Sequence, residues 1–145
     1  MSKTDSGPGP ESTQDLFEPI NSEARALCAK WQKRLRLQDW RIKVDVVRHY
    51  RMPETVCESG TEAAHMARHR HDQSAEIWIC HPDDLYPDGF SNVSLEQSIV
   101  HELLHIHLDM WEPDPESTAY WAMERAINII SDALIERETN ELQHA

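Results

Sequence analysis

The spacing of apolar and polar positions divides the chain into a polar opening and six structured segments. Residues 1 to about 16 carry few large apolar groups and several Gly, Pro and Ser. A disordered tail is therefore expected over 1–17, ahead of a single compact domain over 18–145. Asn21 or Ser22 can cap a first helix, since Ala24, Leu27, Cys28, Trp31 and Leu35 follow at helical spacing; its span is roughly 22–37. From Trp40 the period shortens to two, with Ile42, Val44 and Val46 marking a strand. Residues 61–70 fit either a strand or a short helix, and 74–80 (SAEIWIC) read as a strand rich in β-formers. Pro82, Pro87 and Gly89 keep the following segment in a loop. Ser94, with Gln97 three residues on, predicts a capping box and a helix to about Met110. The Trp111-Glu112-Pro113-Asp114-Pro115 stretch breaks it. Asp114 as N-cap and Pro115 in the first turn then start a last helix running to about 138–142. The order α-β-β-β-α-α predicts an α+β fold in which an N-terminal helix and a small three-stranded sheet precede two antiparallel helices. No internal repeat or second domain is visible, and 145 residues suit one domain.

Composition narrows the classes of partner. Lys and Arg number 14 and Asp and Glu 26, a formal charge of −12. A field of that sign repels phosphate backbones and anionic lipid, so neither nucleic acid nor a membrane surface is an expected partner. Solubility is the ordinary role of such an acid excess. Three cysteines (Cys28, Cys57, Cys80) without a CxxC pair argue against a disulfide framework and against a cysteine-type structural zinc site. They suit a reduced cytoplasm. No secretory leader pattern and no apolar run of bilayer length is present. Trp31, Trp40, Trp78 and Trp121 are expected as core anchors, with Trp111 packing the hairpin between the last two helices.

The chemistry concentrates in His101-Glu102-Leu103-Leu104-His105, an HExxH sequence on a helix. Residues four apart differ by about 40° around the axis, so His101 and His105 project side by side and can grip one Zn²⁺. Glu102 lies about 100° from His101, beside the metal rather than on it, where it can serve as general base toward a metal-bound water. Leu95, Ile99, Leu103, Ile106 and Met110 share the opposite face, which suits either a cleft-facing histidine pair or an exposed one. A catalytic zinc needs a third protein ligand. His107 falls on the apolar side of the helix and reads as a boundary histidine. If the chain reverses near 111–114, the residue level with His105 lies around 120–124, which selects Glu124. Glu116 is the second choice; it sits on the apolar phase but at the hairpin's end, where an acid also suits the helix dipole. His65, His69 and His71 have metal-compatible spacing on the ambiguous segment, although surface or hairpin positions explain them as well.

HELLH followed nineteen residues later by Met123-Glu124-Arg125-Ala126-Ile127-Asn128 resembles the gluzincin zinc peptidases. The layout looks like that of the minigluzincins and of small phage-encoded metallopeptidase-like proteins. That resemblance implies a minimal zincin fold, Zn²⁺ as cofactor, peptide or protein as substrate, and Glu124 as third ligand. Asn128 would stand where the family often places an acid that holds a ligating histidine by its other ring nitrogen; an amide there makes the histidine less basic. The Leu37-Gln38-Asp39-Trp40-Arg41-Ile42 stretch is also similar to SprT-like domains, but these use a third histidine, and His144 lies too near the end of the sequence to supply one. In the family-like reading Glu102 moves the protons of peptide hydrolysis, and 74–80 is an edge strand that aligns an extended peptide. Tyr120, His81 or Tyr86 would stabilise the oxyanion, Tyr120 first among them. Two other functions fit the same residues: a zincin-fold regulatory or binding protein of little or highly restricted proteolytic activity, and a domain in which zinc is structural. An intact Glu102 favours the enzyme, because a structural site needs no general base.

Overall fold

The computed structural model describes residues 13–53, 63–84 and 94–144. Helix α1 (Thr13–Arg34) begins earlier than expected and runs through Pro19, so part of the segment expected to be a disordered tail is helical. Asn21 is not a cap. Its side-chain amide donates to the Phe17 carbonyl (3.1 Å) and its Oδ1 accepts the Val46 N–H (2.8 Å), which fastens the helix to the sheet. The helix also ends sooner, because Arg36 adopts a left-handed conformation (φ 59°) and the Leu37 N–H turns back to the Gln32 carbonyl.

Three strands follow: β1 (Arg41–Val47), β2 (Ala64–His69) and β3 (Ser74–Cys80), with short 3₁₀ turns after β1 and β3. The ambiguous segment is thus a strand, turned into β3 by a reversal in which Gln73 takes φ 51°. The sheet order is β1-β3-β2, with β1 parallel and β2 antiparallel to β3. β3 is therefore the central strand, which corrects the expectation that 74–80 forms an edge; β1 and β2 are the edges. Alternation along a strand reveals its two faces but not its neighbours, and β3 uses both edges.

Val44, Val46, Ala75, Ile77 and Ile79 put one face of the sheet against α1 and against helix α2 (Leu95–Leu108). Ala24, Cys28, Trp31, Ile99, Val100, Leu103 and Ile106 complete this core from the helices. The other face carries a small cluster of Met52 and Cys80 with Val47 and Trp78. Ser94 caps α2 by accepting the Gln97 N–H (3.0 Å), as expected, but the Gln97 side chain bonds Asp132 (2.5 Å) instead of closing the box.

A 3₁₀ turn (Asp109–Trp111) ends α2, and helix α3 (Thr118–Gln143) starts three to four residues later than the proline pattern suggests. Asp114 uses its side chain on the Glu116 N–H (2.9 Å) and its carbonyl on the Ser117 hydroxyl, which makes a turn and leaves Ser117 as the cap. The two helices are antiparallel, since partners 97 and 132, 101 and 128, and 105 and 124 meet in reverse order. Trp31 is buried and Trp40 packs on the core, whereas Trp111 (79 % exposed) and Trp121 (66 %) do not anchor it. Among the described residues no helix is long and apolar enough to cross a membrane.

Candidate metal centre

The antiparallel pairing sets one polar contact per helical turn between α2 and α3. At the middle and upper levels these contacts converge. Nε2 of His101 and Nε2 of His105 lie 3.2 Å apart. Glu124 places Oε2 3.3 Å from the first and Oε1 2.6 Å from the second. His101, His105 and Glu124 are the only His/Cys/Asp/Glu group of metal-holding geometry among the described residues. Ligands bound at 2.0–2.1 Å in a tetrahedron are about 3.3 Å from one another, which two of the three separations match.

A hydrogen-bonded cluster without metal is the competing account, and two details bear on the choice. Glu124 Oε1 is buried and lies 2.6 Å from Nε2 of His105. A buried carboxylate oxygen there needs either a ring proton or a cation to take it up. Asn128 Oδ1 accepts from Nδ1 of His101 at 2.8 Å, which places the proton on Nδ1 and leaves Nε2 bare and facing inward. With Nε2 of His105 also unprotonated, the two nitrogens and the carboxylate would present three lone-pair donors to one point. The residues could hold a metal cation.

Without a metal, the charges of the cluster are strongly coupled. Burial alone would raise the Glu124 carboxyl, but the two imidazoles more than reverse this and hold it at about 2, so it is ionised. His101 is drawn down by burial and lifted further by Glu124 and Glu102, for a net rise. Glu102 is buried beside the cluster, and burial pushes its carboxyl up against the opposing pull of both histidines. The helix-phase argument placed the histidine pair on the side away from the core, yet His105 is only 7 % exposed. α3 and β2 cover that side, so it is the wall of a cleft.

The cleft has a volume of about 560 Å³ and is walled by His101, Glu102, His105 and Glu124, by Tyr120 on α3, and by β2. Of the other sequence candidates, Glu116 is exposed in the turn before α3 and does not reach the cluster. His81 rests edge-on against Phe17 and near Asp83, away from the cleft. Tyr86 lies outside the described residues. His107 contacts the Leu35 carbonyl at 2.6 Å and ties α2 to the end of α1, the boundary role expected of it. His65 borders the cleft while stacked on Trp78 across the strands. His69 and His71 touch each other edge-on at the exposed end of the β2–β3 hairpin and form no metal cluster there.

Sequence reasoning missed four charged residues at the floor of the site. Arg68 of β2 and Arg70 in the turn after it reach across to Asp109 and Glu112 just past the end of α2, and both Arg68 and Glu112 border the cleft. Their partners are about forty residues away, and no local spacing signals such pairing. Compared with protein-family models, curated proteins and solved structures, the chain shows no significant match.

Proposed function

We propose that the protein is a zinc-dependent peptidase of minimal zincin type, with His101, His105 and Glu124 as ligands and Glu102 as general base. The observation that carries this reading is the convergence of two imidazole nitrogens and the Glu124 carboxylate on one point, beside a separate buried carboxyl. Bound there, zinc would supply Lewis acidity toward a water and a peptide carbonyl. The chain's own residues do the rest. Glu102, buried at the cleft wall and with its carboxyl raised by burial, would take a proton from a water and return it to a leaving amine. Asn128 fixes the tautomer of His101. Tyr120, on the cleft wall one turn before Glu124, would donate its hydroxyl to developing charge on the substrate oxygen.

A strand at the sheet edge beside the cleft suits peptide docking better than the central strand 74–80. Among the described residues, β2 pairs only with β3. Its residues Ala64, His65 and Met66 border the cleft. An extended peptide added along that edge would pass the metal ligands, bound by main-chain hydrogen bonds.

The test combines metal analysis with peptide turnover. The wild type is expected to bind about one zinc per chain and to cleave members of a mixed peptide library. Glu102→Gln is expected to keep the zinc and lose turnover, and Glu124→Ala to weaken zinc binding. A protein that stays zinc-free at neutral pH in excess zinc refutes the metal reading. Retained zinc with equal turnover in Glu102→Gln refutes the catalytic one.

A further inference from the structure

The charged residues beneath the cleft are not used by the chemistry described above, yet one of them reaches a metal-ligand candidate. Arg68 donates from Nη1 to the backbone carbonyl of His105 (3.1 Å), pairs through Nη2 with Glu112 Oε2, and holds its Nε 3.1 Å from Asp109. Arg70 pairs with Asp109 alone. The other oxygen of Glu112, Oε1, faces Nδ1 of His105 at 4.0 Å.

The two histidines are then unequal. A metal-bound imidazole needs its second ring nitrogen held, or its orientation and tautomer are lost. His101 has Asn128 for this. Nε2 of His105 is turned to the cluster, so its proton belongs on Nδ1. Among the described residues Nδ1 has no hydrogen bond, and Glu112 is the acid beside it. A separation of 4.0 Å is longer than a hydrogen bond, and a rotation of the Glu112 side chain that moves its oxygen by about 1 Å closes it. Arg68 holds that carboxylate from behind and grips the His105 backbone at the same time.

We propose that Glu112 is the positioning residue of His105, accepting its Nδ1–H, and that Arg68 holds Glu112 in place. The inference rests on the metal reading of the cluster. It assigns the two ligands different support, an amide behind His101 and a carboxylate behind His105. The carboxylate supplies the basicity that Asn128 withholds on the other side.

Zinc affinity measured by chelator competition, with ¹⁵N–¹H spectra of the histidine rings, tests it. Glu112→Ala is expected to weaken zinc binding about 10- to 100-fold and to abolish the exchange-protected Nδ1–H signal of zinc-loaded His105. Glu112→Gln keeps an acceptor, so its loss is expected to stay within about threefold, as for an amide like Asn128. Arg68→Met should weaken zinc, whereas Arg70→Met, which breaks an ion pair at the same helix end, should leave affinity within about twofold. Zinc affinity of Glu112→Ala within about twofold of wild type overturns the proposal. So does equal damage from Glu112→Gln and Glu112→Ala, which marks an ordinary ion-pair role, or an Arg70→Met effect as large as that of Arg68→Met. Failure of the wild type to bind zinc is a separate result; it removes the metal reading and this inference with it.

Discussion

Asn128 shows how much a single atom decides at this site. Its Oδ1 fixes the proton of His101 on Nδ1, and that one bond turns Nε2 toward His105 and Glu124. Asn128→Ala is expected to cost about tenfold in zinc affinity, and Asn128→Asp to strengthen binding by making the imidazole more basic. Titration with a competing chelator would expose an error in either direction. Tyr120→Phe is a different case. If its hydroxyl acts on the substrate oxygen, turnover should fall about 10²-fold while zinc content stays at the wild-type value; a loss of zinc instead would assign Tyr120 to the metal's support. His101, Glu102, His105 and Glu124 were legible in the sequence because one helical motif and a count of residues across one reversal suffice to place them. Arg68 and Glu112, 44 residues apart, were not, since their meeting depends on which strand ends up at the sheet edge.

At the scale of elements, the far end of the helices is joined by a second polar cluster. Lys30 of α1 contacts Glu96 of α2 at 2.7 Å and Glu138 of α3 at 3.0 Å, and Trp31 donates its indole N–H to Glu96. Burial would raise the Glu96 carboxyl, but Lys30 and Trp31 hold it below its ordinary value. The sign follows from that depression. A carboxylate lowered in the folded state contributes stability that is present above its unfolded value, near 4.3, and is lost as pH falls through the lower folded value. Glu96→Gln is expected to reduce stability by about 1–2 kcal/mol at pH 7 and to flatten the acid limb of the unfolding profile. Identical acid limbs for the two proteins in urea titrations would contradict this. The extent of β3 was read correctly because its β-rich run is bounded by turns, and so was the cap at Ser94. Its central place in the sheet was not legible, and neither was the start of α3. There Asp114 spends its acceptors on a turn, and Ser117, an equally good cap, takes the helix.

For the whole molecule, the question is what holds α3 in place. α1, α2 and the sheet share one apolar core; α3 fully buries Ile127, Ser131 and Glu138, sets Leu134 and Ile135 of its later turns against that core, and leaves Trp121, Ile129 and Ile130 exposed. Toward α2 it carries the polar series through Glu124, Asn128 and Asp132, and toward α1 the Lys30–Glu138 contact. A zinc ion shared by His101, His105 and Glu124 would therefore staple the less apolar first half of α3 to a well-packed body. Binding to the folded state alone adds about 4 kcal/mol at a thousandfold excess over Kd. Most of that should appear locally, as resistance of α3 to opening, because the core has its own apolar support. Hydrogen exchange on the zinc-loaded protein before and after chelation checks this. Amides of 118–131 are expected to lose protection on metal removal while those of β3 and of α2 around Leu103 keep theirs. A uniform loss across the sheet and all three helices would mean that the metal supports one cooperative unit. Unchanged protection in α3 would mean that its docking does not depend on the ligand triad.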